Sequence, residues 1–499
     1  MNQNKKEESI LLRLWQMLCP IKMSEAKKFI PMTLMMFFIL FNFSTLRPLK
    51  DSLVIPNLGA EVISFVKLWC VLPSAILFTI IYMKLSNVMD YEKLFYAVTS
   101  FFIVFFAIFA IILYPYRDVI HPDPETIKNL AHQLPNLKWL ILLAGKWSFA
   151  LFYIFAELWG AAMINLMFWQ FANRITKTEE AKRFYSMFGL IGNVGLIFAG
   201  NAVIQFSRMS TEAGNDNDLI VFSMAALIIS GLLVMAIYRW MNVYVLTDPR
   251  YYAPKAGEGK KKLKLSVSES IKLILHSRYL GFIVLLVLCY GTTINLVEGP
   301  WKAKIRELYP TQNEYAHFMG EFIQWTGIVT ILFMILGSNI LKNVRWFTAA
   351  IITPLMILIT GGGFFAFVIF EKELAPWMED FIKMSPIVIA VFLGALQNVL
   401  SKATKYTMFD ATKEMAFIPL DDELKSKGKA AVDVIGGRLA KSGGAIIQSF
   451  IFMLSPMATF SIITPILTKI FLFLMICWIL AVRGLNKDYT LLVNKEGNK

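Results

Sequence analysis

The chain has few charged residues, few cysteines and few histidines for its 499 residues. Charged side chains make up 17% of it, whereas soluble domains carry about a quarter. The four cysteines are scattered, so neither a disulfide framework nor a metal site built on them is indicated. The four histidines are equally isolated, and we expect no metal and no cofactor. These shortages exclude a soluble enzyme, a disulfide-stapled domain and a disordered chain.

Apolar residues are abundant instead: 57% of the chain is hydrophobic, and its mean hydropathy is +0.58. A helix needs about 20 mainly apolar residues to cross a bilayer. Twelve runs approach or exceed this length, at about 29–46, 62–83, 94–114, 139–172, 184–206, 218–238, 279–299, 316–341, 346–370, 385–409, 429–454 and 461–482. We therefore predict an all-α polytopic membrane protein with about twelve transmembrane helices.

A polar, lysine-rich stretch separates the sixth run from the seventh. It divides the chain into a cytoplasmic N-terminal segment (1–28), a six-helix half (29–245), a basic linker (246–278), a second six-helix half (279–483) and a cytoplasmic tail (484–499). Two such halves are typical of major-facilitator-type transporters, whose site lies between them. Composition alone also allows a channel, a receptor or a membrane-embedded transferase.

The positions of the positive charges indicate the orientation of the chain. With the N-terminus inside, the inner segments carry about three times as many Lys and Arg residues as the outer loops. This bias predicts that both termini are cytoplasmic. We interpret the linker lysines as part of this topology signal, so no nucleic-acid partner is expected.

Several basic residues lie inside the apolar runs, where an ionised side chain costs at least ~2.5 kcal/mol. They are Lys67, Lys146, Lys402, Lys405, Arg438, Lys441 and Lys469, and the acids in the same runs are Glu157, Glu298 and Asp433. Seven cations against three acids indicate more than internal pairing. Because sorting of loops needs no lysine in mid-helix, we predict a water-filled cavity that receives a polyanion.

The spacing of these cations strengthens that prediction. Three pairs are three residues apart and so share a helix face: Lys402 with Lys405, Arg438 with Lys441, and Arg47 with Lys50 just beyond the first run. Lys302 follows Glu298 beyond the seventh run. Phosphate chains are bound by several fixed cations, with Arg able to hold two oxygens. The pattern indicates a substrate with more than one negative charge.

Other interpretations apply to individual residues. Lys469 has no basic neighbour on its helix, and we expect it to extend toward the interface or to pair structurally. Lys146 is equally consistent with a position at the outer interface. Lys67 and Glu157 are also consistent with a salt bridge between helices. GGRLAKSGGA lacks the Gly before Lys-Ser that a phosphate-binding loop requires, and no catalytic constellation is present, so we do not expect an enzyme.

Long segments throughout the chain carry a distinctive pattern: STLRPLKDSLV (44–54), VISFVKLW (62–69), GKWSFALFYIFAELWG (145–160), FWQFANRITKTEEAKRFYSMFG (168–189), VLTDPR (245–250), NLVEGPWKAKIRELYP (295–310), FDATKEMAFIPLDDELKSKGKAA (409–431), KSGGAIIQS (441–449) and GLNK (484–487). Together they resemble the non-mitochondrial nucleotide translocases, the ATP/ADP carriers of rickettsiae, chlamydiae and plastids. The resemblance covers nearly the whole chain and is closest to the rickettsial and chlamydial carriers.

The resemblance implies an antiporter in the bacterial inner membrane that imports host ATP in exchange for bacterial ADP. Family residues regarded as essential fall here on Lys67, Glu157, Glu298 and Lys441. Further phosphate contacts are expected from Arg47, Lys50, Lys146, Lys302, Lys402, Lys405 and Arg438, and base contacts from Asn193, Gln397 and Asn398. We expect alternating access and a functional monomer, with phosphate as a possible co-substrate of ADP.

Two alternatives remain open at this stage. Members of the family also carry GTP, UTP, CTP or NAD, some of them coupled to protons, because a phosphate clamp is indifferent to the base. An anion channel lined by basic residues is a more distant alternative.

Overall fold

In the computed structural model the described residues fold almost entirely as helices, and no β-strand occurs among them. The structure describes residues 21–215, 217–251, 277–381, 383–432 and 436–497, with single positions at 269, 272 and 274. The linker prediction (246–278) and the N-terminal segment (1–28) therefore lie largely outside the described residues.

The first half contains six long helices and three short ones between the third and fourth of them. They are α1 (Met23–Leu58), α2 (Val62–Val88), α3 (Tyr91–Leu113), α4 (Arg117–Ile120), α5 (Pro124–Gln133), α6 (Lys138–Gly145), α7 (Trp147–Ile175), α8 (Thr178–Ala213) and α9 (Asn217–Tyr244).

The second half repeats this order with a smaller insertion after its third long helix. Its helices are α10 (Arg278–Leu308), α11 (Gln312–Asn343), α12 (Trp346–Ile369), α13 (Glu371–Phe381), α14 (Pro386–Ala416), α15 (Asp422–Ala431), α16 (Gly437–Leu454) and α17 (Phe460–Gly497). Because α17 runs to Gly497, most of the predicted tail continues the last helix.

The predicted all-α membrane architecture is confirmed, with one difference in the number of spans. Eleven helices of the described chain are long and apolar enough to cross a membrane. The predicted span that is not among these eleven is the eleventh run, 429–454, which contains α16; its apolar part, Ser442–Leu454, is shorter than the others. Charges near its start interrupt the hydropathy of this segment.

Two predicted boundaries shift for identifiable reasons. The first run was expected to end near residue 46, but α1 continues to Leu58 through buried Lys50 and Asp51. The helix continues because these charges find partners inside the protein. The fourth run, 139–172, is interrupted at Lys146, whose backbone (φ −118°, ψ 46°) leaves the helical region between α6 and α7.

The two halves pack closely along α8 and α11. A Cβ built on Gly200 would lie 2.5 Å from the carbonyl oxygen of Gly320, and one on Gly327 would lie 2.9 Å from that of Asn193. Only glycine permits such an approach of two backbones. This seam holds the halves side by side.

Many of the contacts between the halves lie at the end of the bundle where α1 and α10 finish. We call it the closed end because these contacts join the two halves there. Arg306 donates to the carbonyl oxygen of Pro56 (3.1 Å), and Glu61 accepts from the backbone N–H of Phe460 (3.1 Å). Asn313 donates to Ser210 (3.0 Å). At the opposite end, ion pairs such as Lys28–Glu180, Glu25–Arg183 and Arg278–Asp488 stay within one half.

Candidate functional site

A set of six charged side chains lies between the halves near the closed end. It consists of Lys50, Asp51, Lys67, Glu157, Glu298 and Lys302, and we call it the charge cluster. Three helices of the first half and one of the second supply it. Its three cations and three anions balance, so the cluster has no formal net charge.

The centre of the charge cluster is dry. Asp51 accepts from Lys302 at 2.8 Å and from Lys50 at 3.1 Å, and its side chain is 3% exposed. The Lys302 side chain is 2% exposed. The Lys50 ammonium also lies 3.8 Å from the ring centre of Tyr153. An uncompensated charge in such a place would cost several kcal/mol, so these partners hold each other in the ionised state.

The rim of the cluster is wetter. The Glu298 carboxylate forms ion pairs with Lys302 at 2.7 Å and with Lys67 at 2.8 Å. The Glu157 carboxylate pairs with Lys50 at 3.0 Å. The side chains of Lys67, Glu298 and Glu157 are 21%, 24% and 32% exposed. These carboxylates and Lys67 are therefore accessible to a polar ligand, while Asp51 is not.

Local helix geometry explains how Lys67 and Lys302 reach this position. Lys67 lies in a π-helical stretch, Val66–Val71, just before Pro73. A widened turn of this kind re-aims a side chain and is frequent at functional sites. Lys302 follows Pro300 within α10, and Lys50 follows Pro48 within α1. Each proline removes one backbone hydrogen bond and allows the helix to bend beside the cluster.

The partner of Lys67 differs from the one considered from the sequence. The sequence was consistent with a salt bridge between Lys67 and Glu157, whereas in the structure Lys67 binds Glu298 of the other half. Glu157 instead binds Lys50 within the first half. A sequence cannot distinguish these arrangements, because it does not show which helices are neighbours.

Two further cations lie near the cluster without a carboxylate partner among the residues that the structure describes. The guanidinium of Arg47 stacks 4.8 Å from the ring centre of Phe43, and the ammonium of Lys402 lies 4.6 Å from that of Phe322. Arg47 and Lys402 come from different halves of the chain. Aromatic faces stabilise such cations only modestly, so a bound anion would stabilise both side chains further.

Other predicted site residues lie elsewhere. Lys405 is paired with Asp410 in the second half (2.8 Å), and Lys146 lies beside His121 outside the spans. Lys469 is exposed on α17. Arg438 and Lys441 belong to α16, but their side chains lie outside the described residues, as does Asp433.

The three predicted base contacts are buried and differ in their hydrogen bonding. Asn193 and Asn398 donate to carbonyl oxygens of their own helices, those of Gly189 and Gly394. Gln397 is fully buried, and neither its amide nitrogen nor its amide oxygen has a partner among the described residues. Of the three, Gln397 has unused hydrogen-bonding capacity.

Sequence reasoning missed Asp51 and Tyr153. Asp51 directly follows Lys50 and lies beyond the predicted end of the first apolar run near residue 46, so it was not counted among the acids of the apolar runs. The sequence signal that could have identified Asp51 is that RPLKD (47–51) directly continues the first apolar run. Tyr153 carried no signal of its own. Within the described part of the chain, no group of His, Cys, Asp and Glu is placed to hold a metal ion.

Comparison with known proteins gives a consistent result across the whole chain. Residues 3–489 match the TLC ATP/ADP transporter family. The chain is 52% identical to ADP,ATP carrier protein 1 of Rickettsia conorii over 99% of both chains, and 52% identical to that of Rickettsia prowazekii over 98% of this chain and 99% of the relative. It is 49% identical to ADP,ATP carrier protein 3 of Rickettsia typhi over 95% of this chain and 97% of the relative.

Solved structures with the same fold are much more distant in sequence. A D-xylose–proton symporter is similar with a TM-score of 0.54 at 13% identity, covering 91% of this chain and 96% of the symporter. A bacterial homologue of the iron transporter ferroportin, in an inward-facing state, gives 0.54 at 13% identity over 93% and 100% of the two chains. At this identity the likeness shows a transporter fold and nothing about substrate.

Proposed function

Because the chain belongs to the TLC ATP/ADP transporter family, we propose that it exchanges ATP for ADP, importing host ATP and exporting bacterial ADP. The observation that carries this proposal is about half identity, over nearly the full length, to rickettsial proteins named ADP,ATP carriers. The chain is a transporter of this family and not an enzyme. The direction and the site are the parts that need testing.

Arg47 and Lys402 are the proposed first contacts of the phosphate chain. They have no carboxylate partner among the described residues, and they come from opposite halves. A polyphosphate between them would neutralise both and draw the halves together. We assign Lys441 to the same task by family resemblance. Lys50, Lys67 and Lys302 already have acid partners, so they bind phosphate only after those pairs rearrange.

Lys67 and Glu298 form the ion pair that the substrate phosphate is proposed to break by binding Lys67 in place of Glu298. Their side chains are about a quarter exposed, and they join the two halves. A phosphate oxygen that takes Lys67 from Glu298 would weaken this bridge. In the empty transporter the Lys67–Glu298 bridge re-forms and holds the halves together. A ligand shifts the balance of two states only if it binds one of them more tightly. The empty protein therefore does not change state easily, which is a physical reason for obligatory exchange.

The membrane orientation follows from the charge bias of the loops. With both termini cytoplasmic in a bacterial inner membrane, the closed end faces outward, and the site is reached from the cytoplasm. ADP would then enter the protein in the described state. We propose that a monomer suffices, because both halves of the site come from one chain.

Gln397 is the proposed base-recognising residue. A buried amide with both groups unpaired costs free energy unless a ligand or a rearrangement satisfies it. An amide can bind the N6 amino group and a ring nitrogen of adenine together. Replacing Gln397 by Leu is expected to reduce the preference for ATP over GTP, measured by competition, while total binding of inorganic pyrophosphate stays unchanged.

The decisive experiment is uptake of labelled ATP into proteoliposomes loaded with ADP, ATP, GTP, UTP, NAD or nothing. Adenylate exchange requires uptake with internal ADP or ATP and little uptake into empty vesicles. Vesicles loaded with AMP form the matched control, since AMP keeps the base and shortens the phosphate chain. Rapid uptake into empty vesicles would contradict antiport, and its response to a pH gradient would separate proton symport from a channel. Exchange of another nucleotide alone would contradict the choice of adenine.

A further inference from the structure

We propose that Asp51 is a positioning residue of the exchange cycle, whose dry ion pair with Lys302 keeps the closed end shut and must break each time that end opens. This inference rests on the proposed alternation between two states, and it concerns a carboxylate that touches no substrate in the described state. It separates two inter-half ion pairs by function.

The first argument is the difference in hydration between these two ion pairs. In the Asp51–Lys302 pair the side chains are 3% and 2% exposed, whereas in the Lys67–Glu298 pair they are 21% and 24% exposed. Water and phosphate can therefore compete for Lys67 directly. They reach Asp51 only after the halves have separated, so the dry pair reports the state of the closed end itself.

The second argument is that one carboxylate serves two lysines. Lys50 and Lys302 each follow a Pro-x sequence on equivalent helices of the two halves, but Asp51 follows the first, and Ala303 follows the second. Asp51 therefore lies between both ammonium groups and is bonded to each. Removal of its charge leaves three lysines with only two carboxylates, Glu157 and Glu298, and this excess of positive charge at the contact repels the two halves.

The third argument is position. Asp51 lies on α1 and Lys302 on α10, and the other contacts of these two helices near their ends join the same halves. Arg306 of α10 binds the carbonyl oxygen of Pro56 on α1. Any separation of the helices at the closed end must lengthen the 2.8 Å bond between Asp51 and Lys302. Breaking it leaves each charge with one partner fewer, Asp51 with Lys50 and Lys302 with Glu298.

The test uses Asp51→Asn together with a buried reporter at the closed end. Ser210 is fully buried and accepts from Asn313 of the other half, so Ser210→Cys is a near-isosteric thiol that only opening exposes. The native cysteines are replaced by Ser or Ala, and labelling by a membrane-impermeant maleimide is followed from the outside without nucleotide. We expect Asp51→Asn to label about tenfold faster, the change that ~1.4 kcal/mol of lost closed-state stability produces.

Two further variants make the test specific. Glu371→Gln removes the carboxylate of the Lys304–Glu371 pair (2.8 Å), which lies within the second half, and should leave labelling at the parent rate. The double variant Asp51→Asn/Lys302→Gln removes both charges of the pair, so the charge cluster stays without net charge if the single variant folds poorly. It should also label faster than the parent.

Parent-like labelling in both Asp51 variants would overturn the inference, as would equal acceleration in Glu371→Gln. Because the labelling assay contains no nucleotide, it is independent of the choice of substrate. Failure of ATP/ADP exchange in the parent protein, measured separately, would contradict the proposed function while leaving the labelling result interpretable.

Discussion

The first helices of the two halves carry the same short pattern with one informative difference. In α1 it reads Pro48-Leu49-Lys50-Asp51, and in α10 it reads Pro300-Trp301-Lys302-Ala303. Both lysines are buried and belong to the charge cluster. Only the first half supplies an acid directly after its lysine, and that acid reaches across to the lysine of the second half.

This asymmetry teaches how the halves are joined. The first half contributes Asp51 to Lys302, and the second half contributes Glu298 to Lys67, so each half neutralises a cation of the other. Separation of the halves would break both of these bridges and leave each half only its internal pairs, Lys50 with Asp51 and Glu157, and Lys302 with Glu298.

The largest effect is expected when the second-half lysine is lost. Lys302→Met leaves Asp51 with a single lysine and removes one of two partners from Glu298, which should destabilise the protein by about 3–5 kcal/mol. Lys50→Met should cost less, because Lys302 still holds Asp51, and Glu157, which loses its lysine, is 32% exposed to water. Thermal unfolding in detergent measures both. Equal losses would show that the two lysines are equivalent and that the asymmetry has no consequence.

A transplant of the carboxylate tests the asymmetry directly. Asp51→Asn/Ala303→Asp moves the acid to the equivalent place in the second half, where it should reach Lys50. We expect ATP/ADP exchange to recover several-fold over Asp51→Asn alone, since one buried carboxylate again faces two lysines. Ala303→Asp in the parent background is the control and should reduce exchange by adding an unpaired acid. A double variant no better than Asp51→Asn would mean that the halves are not interchangeable here.

The cations without acid partners should affect binding more than stability. Arg47→Gln and Lys402→Gln each remove a charge-assisted contact to phosphate, worth about 1.5–3 kcal/mol, and should weaken ATP binding roughly tenfold to a hundredfold. The effect should shrink from ATP to AMP as phosphates are removed. Lys405→Gln is the matched comparison, because Lys405 already binds Asp410, and its effect should be smaller. Isothermal titration with the three adenylates measures this series.

The halves also differ in the segment between their third and fourth long helices, and this difference predicts a response to pH. In the first half this segment contains His121. Burial and, to a smaller extent, the positive charge of Lys146 lower the pKa of its imidazole from 6.5 to about 4. Between these values the unfolded chain binds more protons than the folded one. Stability should therefore fall by roughly 1–3 kcal/mol as the pH decreases from about 6.5 to 4.

His121→Gln should flatten this part of the stability profile, measured as the unfolding temperature against pH. The contact of the imidazole with Ser148 (2.7 Å) gives the variant a small constant cost at all pH values. An unchanged slope would show that another group carries the acid sensitivity. The matching segment of the second half, α13, contains no histidine and offers no such site.

Much of the fold was predictable because the bilayer imposes it. A span needs about 20 apolar residues and internally satisfied backbone groups, so hydropathy alone locates helices. The prediction was least accurate where charge enters a helix, at the end of α1 and at the start of α16. At the end of α1, hydropathy falls although the helix continues, because Lys50 and Asp51 are compensated by Glu157 and Lys302, which are distant in sequence.

Within the site, the sequence could identify the charged residues but not their partners. Lys67, Glu157, Glu298 and Lys302 stood out as ionised groups in or beside apolar runs, and the structure gathers them around Asp51. It places Lys146 and Lys405 elsewhere, although they were equally conspicuous in sequence. Spacing predicts which residues share one helix face, but it carries no information on which helices face each other.

The sequence by itself determined that this is an all-helical membrane protein whose apolar runs contain more cations than acids, and its motifs indicated a nucleotide transporter. Those properties follow from residue-by-residue transfer into lipid and from patterns along one chain. Only the tertiary structure decided that Asp51 binds Lys302, that Lys67 binds Glu298, and that Arg47 and Lys402 stay without acid partners among the described residues. Electrostatic pairing depends on distances of a few ångströms between separate helices, and these distances are fixed by packing alone.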